Sequence, residues 1–178
     1  QLDTLEDLLS VSETIAPGKV FDWVPRTNYI PIVTVGQQPV FVDSKTAFDA
    51  IAEGTGDFRN KVYLPAEAEP EVKAQREPAA RVLAKEFTAN MKSIEVETPA
   101  PAMLVLAESY YHNWTAQVDG ESARLWQANS AFEAVQVPAG RHKVLLLYKD
   151  EAFRAGCVIS LFSIIFCIIG WVLARKPA

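Results

Sequence analysis

The run from Ala155 to Ala174, AGCVISLFSIIFCIIGWVLA, is 20 residues long and carries no charge. Arg154 closes it in front, and Arg175 and Lys176 close it behind. At a rise of ~1.5 Å per residue, such a helix is about 30 Å long, the thickness of a bilayer's hydrocarbon core. A core helix of a water-soluble domain carries a polar stripe, whereas nothing here is more polar than serine. The run predicts a single transmembrane helix, with everything upstream folded in water and joined to its N-terminal end.

The upstream part is long enough for one ordinary domain with a small appendage. It holds all 22 acidic residues against 15 basic ones. That balance argues against a nucleic-acid partner and against electrostatic adhesion to anionic lipid. Both cysteines, Cys157 and Cys167, lie inside the apolar run. Ten helical residues separate them by ~15 Å, beyond disulfide reach. The chain starts on Gln1, not methionine, so a processed product or a piece of a longer polypeptide is expected.

Leu2, Leu5, Leu8 and Leu9 recur at helical spacing and predict a short amphipathic helix. Residues 16–31, with Pro17, Gly18, Pro25 and Pro31, read as irregular connection. Two short strands are expected at 32–35 and 40–42, around Gly36-Gln37-Gln38-Pro39. Asp43 or Ser44 caps a helix running through Glu53, and 61–64 is another strand. Residues 1–65 thus form a small α/β segment, and 66–81, rich in proline and charge, a polar linker.

From Val82 the texture changes to strands at regular spacing: 82–88, 91–97, 102–108, 113–118, 122–127, 132–137 and 142–148. Asp119-Gly120 is a two-residue hairpin signal, and Ala128-Asn129-Ser130 and Pro138-Ala139-Gly140 mark further turns. The expected fold is mainly β with some α: a jelly-roll-like antiparallel β-sandwich over 82–150. The small α/β segment precedes it. The membrane helix at 155–174 and a basic tail at 175–178 follow. With its last strand a few residues from the helix, the sandwich must lie near the bilayer surface.

No nucleophile elbow, phosphate loop, HExxH or paired CxxC occurs. Two histidines, His112 and His142, are too few for a multi-histidine metal site. No catalytic residue, cofactor or metal is expected. Glu108, Asp119, Glu121 and Glu133 admit a glycosidase reading, but a solvated strand face and a turn aspartate explain them more simply. Tyr110, Tyr111 and Trp126 are candidates for stacking on a glycan, while Trp114 alternates with Ala116 and Val118 and reads as core.

Inside the apolar run, Gly156, Ser160, Ser163, Cys167, Gly170 and Ala174 follow at spacings of four and three, so they share one seam. Small side chains allow close approach of another helix, whereas lipid gains nothing from such a groove. Other transmembrane subunits and the lipid bilayer are the expected partners.

The stretches LVLAESYYHNWTAQVDG (104–120), QANSAFEAVQVPAGRHKVLLLY (127–148) and FRAGCVIS (153–160) resemble the C-terminal end of bacterial YfhO-like membrane proteins. FVDSKTAFDAIAEGTGDFRNKVYLPAEA (41–68) is similar to the part before it. His112-Asn113 stand where that family tends to place Pro-Gly or Pro-Asn. The resemblance implies a polytopic, glycosyltransferase-like parent using lipid-linked sugars, whose presumed catalytic positions have no counterpart here. Two readings follow. One is a non-catalytic, membrane-anchored sandwich serving as accessory subunit of a membrane assembly. The other is the C-terminal part of such a glycosyltransferase, helping to position a glycan acceptor. The basic flank before the helix (Arg141, Lys143, Lys149, Arg154) outweighs the tail, but large domains translocate with little regard to such charges. The resemblance implies a bacterial cytoplasmic membrane location, with the sandwich periplasmic and the C-terminus cytoplasmic.

Overall fold

A computed structural model describes residues 2–175; Lys176, part of the expected tail, lies outside the described residues. Helix α1 (Leu2–Leu8) is followed by a hairpin of β1 (Glu13–Ile15) and β2 (Trp23–Pro25). This hairpin falls partly in the stretch expected to be irregular. Its residues were missed because three-residue strands leave too short a pattern to read. Next come β3 (Val33–Val35), β4 (Gln38–Val42), α2 (Ser44–Ala52), β5 (Lys61–Pro65) and a 3₁₀ turn (Ala66–Ala68). Asp43 caps α2, its carboxylate accepting from the Thr46 amide at 2.8 Å. Strands β4 and β5 pair in parallel, as a helical crossover allows.

The second half runs through β6 (Arg81–Phe87), β7 (Met91–Thr98), β8 (Ala102–Leu106), β9 (Trp114–Val118), β10 (Glu121–Ala123), β11 (Leu125–Ala128), β12 (Phe132–Val137) and β13 (Gly140–Tyr148). It ends in α3 (Glu151–Ala174). Together with β3, these strands build two antiparallel sheets, ordered β10-β9-β13-β7-β6 and β11-β12-β8-β3. The expected antiparallel sandwich is thus present. The single strand expected at 122–127 is two strands, and they belong to different sheets. The chain changes sheet at Arg124, leaving β10 to finish the Asp119-Gly120 hairpin and β11 to begin the next. Both turn residues sit at positive φ, 52° and 87°, as a two-residue primed turn requires.

Between the sheets Ile94, Val96, Ala116, Val144 and Leu146 pack against Val33, Leu104, Leu106, Val135 and Val137. The four-stranded sheet is also covered on its outer face. Met103, Val105, Trp126, Ala128, Phe132 and Ala134 there bury Leu8, Phe58, Val62, Leu64, Ala68, Val72 and Ala74. The protein therefore has three layers, with β8 and β12 in the middle one. Residues 66–81, read from composition as a linker, lie against this layer instead. Gln136 Oε1 accepts from the amides of Lys73 and Ala74 at 2.5 and 2.9 Å. Strand β3 does not form a hairpin with β4 but crosses into the sandwich beside β8. Gly36 makes that departure, at φ 89°, where an added Cβ would stand 2.1 Å from the Glu77 carbonyl oxygen.

Candidate functional site at the membrane end of the sandwich

Alternation decides which side chains meet at the end of the inter-sheet core nearest α3. Lys92 is in phase with Ile94 and Val96, Glu133 with Val135 and Val137, and Trp114 with Ala116 and Val118. All three point inward. Lys92 Nζ donates to Glu133 Oε2 at 2.9 Å and lies 2.7 Å from Glu108 Oε2 and 3.9 Å from the centre of a Trp114 ring. Lys92 is 2% exposed and Glu133 1%, whereas Glu108 is partly open to solvent.

Glu133 is thereby corrected: it is no solvated strand residue but a buried partner of Lys92. Burial pushes its carboxyl above the usual range, Lys92 opposes the shift, and Glu108 adds to it. One ammonium held by two carboxylates and a ring face has its donors engaged, so the cluster is suited to holding structure together. Asp119 and Glu121 lie at the opposite hairpin and take no part. Asp119 instead accepts from the Lys143 amide at 2.8 Å and contacts His142 Nδ1 at 2.5 Å.

What the cluster holds is the loop 107–113, which carries the candidate tyrosines. Its base is fixed by Glu108 on Lys92, and the Tyr110 amide donates to the Ala131 carbonyl at 2.6 Å. Tyr111, 48% exposed, stacks on Tyr148 at 6.4 Å between ring centres and lies 4.1 Å from the His112 ring. Tyr110 and Tyr111 border separate clefts, as adjacent residues on opposite sides must. Tyr110 shares its cleft with Trp126 and Arg124, and Tyr111 shares its own with His112, Asn113 and Lys149 to Ala152. Trp126 is 5% exposed, packed in the core with the Arg124 guanidinium 4.0 Å from its ring centre. The three candidate stacking rings therefore do not form one platform.

Two residues, Lys149 and Asp150, join β13 to α3, and both are tied. The Lys149 amide donates to the Asn113 carbonyl at 2.9 Å, and Asp150 caps the helix by accepting from the Phe153 amide at 2.8 Å. In α3 the 22 residues from Glu151 to Val172 include a window of mean hydropathy 2.4, none of it buried. Gly156, Ser160, Ser163, Cys167, Gly170 and Ala174 are all exposed on it. A Cβ on Gly156 or Gly170 would meet nothing within 4 Å. Ser163 Oγ donates to the Ile159 carbonyl at 2.9 Å, so its hydroxyl proton is spent within its own turn.

Residues 72–160, half of the chain, match the model of a bacterial membrane protein family, YfhO. The chain belongs to the YfhO family. The YfhO match begins at Val72, runs through every strand from β6 to β13, and continues into the first turns of α3. It therefore contains the buried cluster, the aromatic loop and the joint between sandwich and helix. No curated protein matches the chain.

Proposed function

We propose that this chain is the exterior, membrane-proximal part of a YfhO-type glycosyltransferase-like protein. It holds a glycan acceptor beside the bilayer while membrane-embedded parts transfer sugar from a lipid-linked donor. The observation that carries this reading is the unbroken family match across the sandwich, the two-residue joint and the start of the membrane helix. The role of this part is non-catalytic: it sets the height and orientation of a binding face over the membrane. The sandwich lies on the periplasmic side of the bacterial cytoplasmic membrane, and Arg175 and Lys176 lie inside. The seam of Gly156, Ser160, Ser163, Cys167, Gly170 and Ala174 docks against neighbouring membrane helices, where close backbone approach gains dispersion contacts.

The test is the triple variant Ser160→Leu, Ser163→Leu, Gly170→Leu in native membranes. Insertion and the folded sandwich should persist, protease added to spheroplasts should still remove the sandwich, and sugar transfer should fall at least tenfold. Undiminished transfer overturns the reading. Loss of co-purifying membrane subunits without any change in glycans supports an accessory subunit of an unrelated assembly instead.

A further inference from the structure

The uncharged run of α3 begins at Ala155, so a span starting there puts Glu151 and Arg154 in the headgroup layer, which is about 5–8 Å thick on each side of a bilayer. Tyr111, His112 and Asn113 line one cleft with Lys149, Asp150, Glu151 and Ala152. They thus adjoin the residues that a span starting at Ala155 leaves among the headgroups. The Lys149 amide bond to Asn113 keeps the loop and the helix start together.

We propose that the loop 107–113 is a second membrane contact, resting Tyr111 and His112 in the phospholipid headgroup layer beside the first turn of α3. This inference rests on the membrane span alone and is independent of the glycan reading. The chemistry of the surface matches lipid. Tyrosine rings favour this layer, since the ring body is apolar and the hydroxyl is wet, and Tyr111 is stacked in place on Tyr148. Phe153, on the first helical turn, is 69% exposed. The two nearby carboxylates are engaged, Asp150 with the Phe153 amide and Glu151 with Arg154 at 2.9 Å. Lys149 is exposed and makes no ion pair among the described residues, so its ammonium is free to meet a lipid phosphate. The charges around the cleft, Lys149 and Arg154 against Asp150 and Glu151, balance as they do in a zwitterionic headgroup layer.

The buried cluster explains why the loop is rigid enough to serve. Glu108 is held by Lys92, Tyr110 by Ala131 and Asn113 by both Lys149 and the Tyr148 hydroxyl, at 3.3 Å for the last. The contact is presented already ordered, so little conformational entropy is lost on meeting the bilayer.

The experiment uses the full chain with Cys157→Ala and Cys167→Ala, reconstituted in phosphatidylcholine vesicles containing a headgroup-nitroxide lipid. A fluorophore is placed at His112→Cys or, as a second position on the same cleft, Thr115→Cys. The control is Ala139→Cys, exposed in the turn just before β13, at the end of that strand remote from α3. Quenching at 112 and 115 should exceed that at 139 severalfold, and Tyr111→Ser with Lys149→Ser should lower it at 115. Equal, weak quenching at all three positions overturns the proposal and assigns the cleft to water or to a non-lipid ligand.

Discussion

Two apolar runs in this chain end in opposite surroundings. Strand β8, Ala-Met-Leu-Val-Leu, has no residue more than 3% exposed. In α3 the large side chains from Val158 to Val172 are between 43% and 78% exposed. Hydrophobicity is shared by both, and what differs is length and hydrogen bonding. Five residues of strand cannot satisfy their own backbone, so β8 takes partners on both edges, β12 and β3, and is covered on both faces by protein. A helix of 24 residues satisfies its backbone internally and needs only a solvent for its side chains. In the first case the partner is protein, in the second lipid.

The sharpest way to break this contrast is one charge in each run. Leu104→Asp places an unpaired carboxylate between two sheets and should abolish folding of the sandwich, a loss of more than about 5 kcal/mol, seen as loss of the cooperative thermal transition. Ile164→Asp, at the middle of α3, should leave that transition within about 1 °C, while membrane insertion weakens by about 3 kcal/mol.

The buried ion pair offers the next largest effect, because Lys92 and Glu133 are the charged residues buried in the protein-covered region among the described residues. Lys92→Met strands Glu133 and should cost about 3–5 kcal/mol at neutral pH, lowering Tm by on the order of 10 °C. A carboxyl raised by burial stabilises the fold when protonated and loses that contribution as pH rises through its folded pKa. The deficit of Lys92→Met should therefore shrink towards acid pH. The double variant Lys92→Met, Glu133→Met should recover most of the loss, since neither charge is then left buried. An equally unstable double variant would show that packing, not charge, sets the cost.

The smallest effect lies at the end of the sandwich remote from the membrane, where an exposed pair links β13 to the β9–β10 turn. The Asp119 carboxylate, then the Ala139 carbonyl, hold His142 above its usual pKa of 6.5. His142, then the Lys143 amide, hold Asp119 below its usual 3.8. The histidine contribution is complete below 6.5 and is lost as pH rises through the raised folded value. The aspartate contribution is complete above 3.8 and is lost as pH falls through the lowered one. Thermal scans should show a shallow decline on the alkaline side that His142→Asn removes, with the acid limb retained in part through the Lys143 amide.

The membrane span, the strand spacing and the Asp119-Gly120 turn were legible in the sequence, because each depends on residues close together in the chain. Apolar length needs no partner to be recognised, and a primed turn is dictated by two residues. The signal for the buried cluster was present but incomplete. Lys92 is in phase with Ile94 and Val96, and Glu133 with Val135 and Val137, yet by its charge Glu133 reads as part of a solvated strand face. Nothing local says that they meet, since they are 41 residues apart and on different sheets. The same limit hid the division of 122–127 at Arg124, the passage of β3 into the sandwich, and the burial of Val72 and Ala74 in a stretch of polar composition. Backbone pairing and inter-sheet packing join segments far apart in sequence, and those partners are chosen only when the layers close on one another.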